Sequence, residues 1–199
     1  RSQLGTVQLS VPGIHNVYNA MATIIACLQT GVSFTEAAAA IVRFQGAKRR
    51  FQVMGDARDI LIVDDYAHHP TEIEVTLQAA RATGKRIIAI FQPQRYSRTY
   101  FLLDEFSRAF SEADEVIITD IYAPAGEKQI EGVHSSVLVD LIRKHSNENA
   151  RYVADKQTVI TELSSRLTPG ELIITMGAGD IWKVSKALAD QLQSSEVID

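Results

Sequence analysis

The stretch DILIVDDYAHHP at residues 59–70 passes from an apolar, strand-like run into polar residues and then into a helix-like pattern. The same change occurs in RIIAIFQPQRYSRT at 86–99 and in ELIITMGAGDI at 171–181. Strands alternating with helices indicate an α/β protein with a Rossmann-like, doubly wound and mostly parallel sheet. The carboxyl ends of parallel strands share one edge, and ligands bind in the crevice outside it. We therefore expect the polar residues of the three junctions to converge: Asp64, Asp65, His68, His69, Gln94, Arg95, Arg98, Gly177, Gly179 and Asp180.

The amino-terminal part of the chain has a different character. Residues 6–11 alternate in polarity and predict a short strand, whereas 16–29 and 36–44 have the apolar spacing of helices. A Ser33–Glu36 capping box precedes the second helix. The remaining predicted elements are a helix from Pro70, helices at 99–112, 135–145, 155–167 and 180–193, and strands beginning at FQVMG and at 59–63, 86–91, 115–119, 151–153 and 171–175.

Composition excludes several classes of protein. The net charge of −4 gives no general attraction to nucleic acid or to an anionic membrane surface. No apolar run approaches the roughly 18 residues that span a bilayer. The single cysteine, Cys27, cannot form an internal disulfide. These features predict a cytoplasmic protein, and the start in mid-pattern, without Met, leads us to expect an excised fragment.

Two polar pairs near the predicted domain boundary have the chemistry of nucleotide recognition. Asn16 and Asn19 are three residues apart on a helix, so their carboxamides share a face and suit a nucleobase edge. Alternatively, Asn16 caps the helix and Asn19 is a surface residue. Arg49 and Arg50 follow a glycine-containing turn and could clamp a phosphate, or could simply be solvated.

The segment DDYAHHP leaves three interpretations open. Two carboxylates and two imidazoles within six residues could bind a metal, but adjacent strand residues point to opposite faces. In the second interpretation an aspartate accepts hydrogen bonds from loop amides and a histidine binds a carboxylate. In the third, part of the set contacts a ligand. We predict no metal site here.

The other two junctions also have alternative interpretations. Arg95 and Arg98 lie at the predicted helix start, where cations oppose the helix dipole and a bound anion would offset that cost. The glycines of MGAGDI let the backbone approach a ligand closely. The full G-x-G-x-x-G fingerprint is absent, however, and Asp180 could serve only as a helix cap.

Taken together, H-N-x-x-N at 15–19, the basic pair, DDYAHHPTE and FQPQRYSRT resemble the Mur ligases, the ATP-dependent amide-forming enzymes of peptidoglycan precursor synthesis. The likeness covers about residues 10–190 and is strongest to the member that joins L-alanine to UDP-N-acetylmuramate through an acyl phosphate. It implies that 1–46 end a central ATP-binding domain and that 47–199 form a C-terminal Rossmann-like ligase domain. The phosphate loop and most Mg²⁺ ligands of the family are not found in this chain, so we expect the isolated chain to be inactive.

The resemblance also implies roles for individual residues on the nucleotide side. Asn16 and Asn19 would contact the adenine of ATP. Asp65 would accept hydrogen bonds from the ribose hydroxyls. Arg50 would reach toward a phosphate and would be a catalytic residue.

On the substrate side, the resemblance implies that four residues border the amino-acid and acyl-phosphate region: Tyr66, His68, Arg95 and Arg98. Of these, His68 and Arg95 would be catalytic. Gln94 stands where the family usually has His, and Ala67 stands where Gly is common. These two departures leave the role of position 94 open and predict a slightly stiffer loop at position 67.

Two other functions remain open. A murein tripeptide ligase shares an HHP stretch but not the RYSRT segment. A non-catalytic Rossmann-like module would bind only a small anion or a partner protein. The sequence makes no prediction of the oligomeric state.

Overall fold

The computed structural model describes residues 3–11, 13–44 and 46–194. Its helices are α1 (Ile14–Gln29), α2 (Phe34–Val42), α3 (Pro70–Arg81), α4 (Tyr96–Phe101), α5 (Leu103–Arg108), α6 (Ser135–His145), α7 (Lys156–Arg166) and α8 (Trp182–Ser194). Its strands are β1 (Gln52–Ala57), β2 (Ile60–Asp65), β3 (Arg86–Phe91), β4 (Glu115–Ile118), β5 (Ala150–Tyr152) and β6 (Glu171–Met176).

The strands form one six-stranded sheet in the order β1-β2-β6-β3-β4-β5. β1 and β2 form an antiparallel hairpin, and every other neighbouring pair is parallel. β6 lies between β2 and β3 although it comes last in the chain, so the loop after β6 meets the two earlier junctions. The predicted mostly parallel α/β fold is confirmed.

The sheet has an apolar core on each face, which explains the nearly continuous apolar runs of its central strands. Val63 and Phe91 belong to the core under α3, α5 and α6, whereas Ile62 and Ile90 belong to the core under α7 and α8. Neighbouring residues therefore alternate between the two cores, as the two-residue period of a strand requires. Consequently α3 and α8 leave the carboxyl edge on opposite faces.

Two predicted elements differ from the observed ones. Residues 3–11 contain no strand, because an alternating pattern forms a strand only where a partner strand is available. The helix predicted at 99–112 begins earlier, at Tyr96, and is broken at Leu102 into α4 and α5. Leu102 and Leu103 both pack against the same core, and neighbours in an unbroken helix would point about 100° apart. The break lets both leucines reach that core.

The helices α1 and α2 pack mainly on each other. No residue of α1 is buried, and α2 buries only Ala37. The apolar residues of α1 that are exposed include Ile14, Val17, Tyr18, Met21 and Ile25. Since most helix stability in proteins comes from packing an apolar face, these two helices are the least stabilised in the described chain.

We predict that amide hydrogens of residues 14–42 exchange faster than those of β2 and β3. The physical reason is that local opening is easiest where few apolar contacts must be broken. Hydrogen exchange followed by mass spectrometry on the 199-residue chain measures this difference. Equal, strong protection of both regions would contradict it and would mean that α1 packs on another surface in solution.

A buried ion pair holds the entry to β1 against two other segments. The Arg49 Nε atom lies 2.8 Å from Asp64 Oδ2, and the Asp64 side chain is only 1% exposed. The other Arg49 nitrogens donate to the backbone carbonyls of Gly177 and Gly179, at 2.6 and 3.1 Å. The Thr175 hydroxyl donates to the second Asp64 oxygen at 2.7 Å. Arg49 thus ties β1, β2 and the loop after β6 together.

We predict that Asp64→Asn lowers the free energy of unfolding by about 3 kcal/mol, because it leaves a largely buried guanidinium without its counter-charge. Asp190→Asn is the matched control, since Asp190 pairs with Lys186 on the exposed surface of α8 and such pairs contribute about 0–1 kcal/mol. Urea unfolding of both variants provides the measurement. Equal effects of the two substitutions would show that the Arg49–Asp64 pair adds no special stability.

Candidate functional site

The three polar junctions meet at the carboxyl edge of the sheet. Asp65 and Phe91 both pair with Met176, so the loops after β2, β6 and β3 start at the same level on adjacent strands. Because α3 and α8 leave on opposite faces, a crevice opens between these loops. The predicted meeting of the three junctions at one edge of the sheet is confirmed.

A cleft of about 600 Å³ lies beside this edge, between α1, Phe44, the segment 46–51 and α3. Its lining residues are Val11, His15, Asn16, Asn19, Thr23, Phe44, Gly46, Ala47, Arg50, Phe51, Asp65, Thr71, Glu72, Val75 and Thr76. The four residues predicted on the nucleotide side all belong to this set: Asn16, Asn19, Arg50 and Asp65. The structure therefore brings together two carboxamides, a guanidinium and a carboxylate around one cleft.

Asn16 and Asn19 lie on one face of α1, as their spacing predicts. Asn19 Nδ2 is 3.4 Å from Asn16 Oδ1, and the Asn19 side chain is exposed at the cleft. The Thr23 hydroxyl donates to the Asn19 carbonyl one turn later. The pair presents amide donors and acceptors to the same space.

Asp65 accepts hydrogen bonds from loop amides, as one interpretation of the segment DDYAHHP has it, and it also lines the cleft. Its Oδ2 accepts a hydrogen bond from the Phe51 amide and its Oδ1 from the Ala67 amide, both at 2.7 Å. Burial raises the pKa of Asp65, and the two amide bonds oppose this shift only in part. Since each carboxylate oxygen can accept twice, Asp65 can still accept from a ligand in the cleft.

The two arginines at 49 and 50 lie in different environments. The Arg49 guanidinium is engaged by Asp64 and two backbone carbonyls, so neither alternative left open for the pair, a phosphate clamp or a solvated side chain, describes Arg49. Arg50 is half-exposed at the cleft, 3.7 Å from a Glu72 oxygen and 6.0 Å above the Tyr66 ring. Only Arg50 has its charge directed toward the cleft.

Glu72 organises the histidine segment, and the site predictions did not include it. Its Oε2 accepts from the backbone amides of His68 and His69, and the His68 imidazole lies 3.2 Å from the same atom. Burial would raise the pKa of Glu72, but the bonds and charges of His68, His69 and Arg50 outweigh it and lower the pKa. The His68 Nδ1 atom also lies 2.9 Å from the Tyr66 carbonyl oxygen. The interpretation in which a histidine binds a carboxylate thus applies to His68.

Among the described residues, no cluster of three or more potential ligands could hold a metal ion.

Arg95 and Arg98 lie at the start of α4, where a bound anion would offset the cost of placing cations. The chain itself supplies a carboxylate there: Glu127 Oε1 accepts from the Ser97 amide at 3.3 Å and from its hydroxyl at 2.9 Å. The Ser97 amide is therefore already engaged by the chain itself. Arg98 donates to Gln94 Oε1 at 3.2 Å, so the residue that replaces the usual His holds Arg98 in place.

Arg95 differs from Arg98 in having no such partner. Its side chain is exposed and forms no hydrogen bond or ion pair with any residue of the described ranges. Its backbone has φ 71° and ψ 130°, a conformation that non-glycine residues rarely adopt. The Arg95 guanidinium therefore has no partner among the described residues, whereas the neutral Gln94 amide holds Arg98 without neutralising its charge.

The glycines of MGAGDI are required by the chain's own packing. A Cβ atom on Gly177 would lie 2.7 Å from the Gln92 carbonyl oxygen, and one on Gly179 would lie 2.8 Å from Tyr122 Cγ. Asp180 accepts from Gln92, Lys156 and Lys183. Burial raises the pKa of Asp180, but these three donors outweigh it and lower the pKa to about 2. Asp180 therefore links β3, α7 and α8, and this contact was not predicted.

No helix in the described ranges is long and apolar enough to cross a membrane.

The comparisons with known proteins agree with the geometry. The family described as "Mur ligase, glutamate ligase domain" matches residues 49–179. The UDP-N-acetylmuramate–L-alanine ligase of Symbiobacterium thermophilum is 46% identical over 195 residues, which are 98% of this chain and 40% of that protein.

Two solved structures extend the likeness to three dimensions. UDP-N-acetylmuramate-alanine ligase MurC from Thermotoga maritima superposes with a TM-score of 0.78 at 29% identity, covering 95% of this chain and 40% of that one. A murein peptide ligase from Psychrobacter arcticus gives 0.64 at 27% identity, covering 94% and 38%. The chain spans about two fifths of the length of the relatives it matches. It belongs to the Mur ligase family.

Proposed function

We propose that this chain is part of an ATP-dependent ligase that joins L-alanine to UDP-N-acetylmuramate through an acyl phosphate. The observation that carries the proposal is the cleft, where Asn16, Asn19, Arg50 and Asp65 meet beside the polar edge of the sheet. Relatives named for this reaction match nearly the whole chain. Residues 1–46 would end the ATP-binding domain, and 47–199 would form the C-terminal ligase domain of a cytoplasmic enzyme.

The chemistry of the cleft fits a nucleoside triphosphate. Asn16 and Asn19 can donate to and accept from the adenine edge, and Asp65 can accept from ribose hydroxyls. Arg50 can balance phosphate charge with a charge-assisted hydrogen bond. The Mg²⁺ that accompanies ATP would be held mostly by residues outside this chain, because the described residues contain no cluster suited to a metal.

The polar edge fits the amino-acid and acyl-phosphate side of the reaction. Arg95 can hold a carboxylate or the charge that develops at the acyl phosphate, with Arg98 beside it. Tyr66 and His68 follow β2, which β6 separates from β3, and Glu72 fixes the histidine. These residues would act by positioning and electrostatics, since none forms a nucleophile–base pair of the kind used in covalent catalysis.

The likeness to a murein peptide ligase gives a second candidate, in which a murein tripeptide replaces L-alanine. Phosphate release by the full-length protein distinguishes the two, with UDP-N-acetylmuramate, ATP and either L-alanine or the tripeptide. We expect activity with L-alanine, and background release from the 199-residue chain alone. Activity with the tripeptide only would favour the second candidate, and activity with neither would favour a binding module.

We predict that Asn19→Ala in the full-length protein raises the KM for ATP about 2- to 12-fold, the equivalent of one neutral hydrogen bond. Asn19 is a better test than Asp65, because Asp65 also satisfies two backbone amides. Gln29→Ala, at the exposed end of the same helix and outside the cleft lining, is the matched control. An unchanged KM for ATP in Asn19→Ala would remove Asn19 from the nucleotide site.

We predict that Arg95→Gln lowers kcat/KM for L-alanine about tenfold or more, with no loss of thermal stability. The lost charge served a ligand, and the side chain has no partner among the described residues whose loss would destabilise the fold. Arg108→Gln provides the control, because Arg108 forms an exposed pair with Asp104 on α5. Steady-state kinetics and thermal unfolding measure the two effects. Wild-type kinetics in Arg95→Gln would make Arg95 an ordinary surface residue.

A further inference from the structure

The segment 93–97 has a conformation that its own sequence does not favour. Arg95 carries a side chain, yet its φ of 71° and ψ of 130° lie outside the regions open to such residues. Conformations of this kind persist only where the surroundings hold them, and they are concentrated at functional sites. The question is which contacts hold Arg95.

The loop 119–134 between β4 and α6 supplies those contacts. The Tyr122 amide donates to the Pro93 carbonyl at 2.8 Å, and the Arg95 amide donates to the Tyr122 carbonyl at 3.0 Å. Further along the loop, Glu127 accepts from both the amide and the hydroxyl of Ser97. The loop therefore holds the backbone on both sides of Arg95, through Pro93 and Ser97.

The contacts of Glu127 are concentrated on Ser97. Its other carboxylate oxygen, Oε2, is buried and has no partner within the residues that the structure describes. A buried carboxylate oxygen without a hydrogen-bond partner costs free energy. A role as a solvated surface charge therefore does not account for a glutamate at position 127. What the side chain does accomplish is to fix Ser97, two residues after Arg95.

We infer that Glu127 is a positioning residue for Arg95. By holding Ser97, it prevents the segment from relaxing to a more favourable backbone, and the strained backbone of Arg95 sets the direction of its guanidinium. The catalytic consequence rests on the proposed function. If Arg95 holds the carboxylate of L-alanine or the acyl phosphate, Glu127 governs that contact although it touches neither.

Amide hydrogen exchange on the 199-residue chain tests the inference without substrate. In Glu127→Ala the Arg95 and Tyr122 amides should exchange at least tenfold faster, measured residue by residue with NMR. Glu127→Gln retains an oxygen for Ser97 and should keep wild-type exchange at both amides. In Glu127→Ala combined with Arg95→Gly, the amide at position 95 should stay protected, because glycine adopts positive φ without help.

The exchange pattern can also overturn the inference. Two results would show that Glu127 only caps Ser97. One is faster hydrogen exchange at the Ser97 amide alone. The other is an equal increase in the exchange rate of the amide at position 95 whether arginine or glycine stands there. Should Glu127→Ala fail to fold, Ser97→Ala removes the hydroxyl contact alone, and it should accelerate exchange at Arg95 in the same way.

Kinetics of the full-length protein provide the second readout. Glu127→Ala should raise the KM for L-alanine about tenfold and leave the KM for ATP unchanged, and Glu127→Gln should restore the wild-type value. Glu131→Ala, at an exposed position of the same loop, is the matched control. If the wild-type protein has no activity with L-alanine, the proposed function fails and the exchange result alone decides. Activity with a wild-type KM in Glu127→Ala would overturn the inference.

Discussion

The Arg49–Asp64 ion pair is the interaction on which the arrangement of the site depends. It joins segments that lie far apart in the sequence: the entry to β1, the end of β2 and the loop after β6. An arginine suits this position because its planar guanidinium can serve a carboxylate and two carbonyls at once, which a lysine ammonium cannot do with the same geometry. The contacts of Arg49 fix the backbone from which Arg50 reaches into the cleft.

The two-residue alternation of β2 places its two terminal aspartates in different environments. Asp64 and Asp65 are neighbours, so their side chains leave β2 on opposite faces. Asp64 meets Arg49 and Thr175, whereas Asp65 meets the Phe51 and Ala67 amides and lines the cleft. The arginine pair is divided in the same way, with Arg49 engaged inside and Arg50 directed outward. Arg49 and Asp64 hold the edge together, and Arg50 and Asp65 line the cleft.

Much of this was predictable from the sequence, because the informative signals are local. Apolar runs and the polar residues after them located the strands and their shared edge, and a three-residue spacing placed Asn16 and Asn19 on one face. The partners of Arg49 had no local signal, since Gly177 is 128 residues away. The break at Leu102 depends on which core its neighbours reach, and the missing strand at 6–11 depends on a partner. Such features arise from tertiary contacts alone.

The two glutamates that were not predicted show where sequence reasoning can be extended and where it ends. Glu72 had a signal in HHPTE, because a glutamate three residues after a helix cap can accept from the amides before it. Glu127 had none, since it meets Ser97 from 30 residues away. Glu72 secures the histidine segment, and Glu127 secures the segment that carries Arg95. A cation neutralised inside the fold has little attraction left for a ligand, and this separates Arg49 from Arg95. Basic residues in a motif therefore become candidates for anion binding only after the chain's own carboxylates have been matched to them.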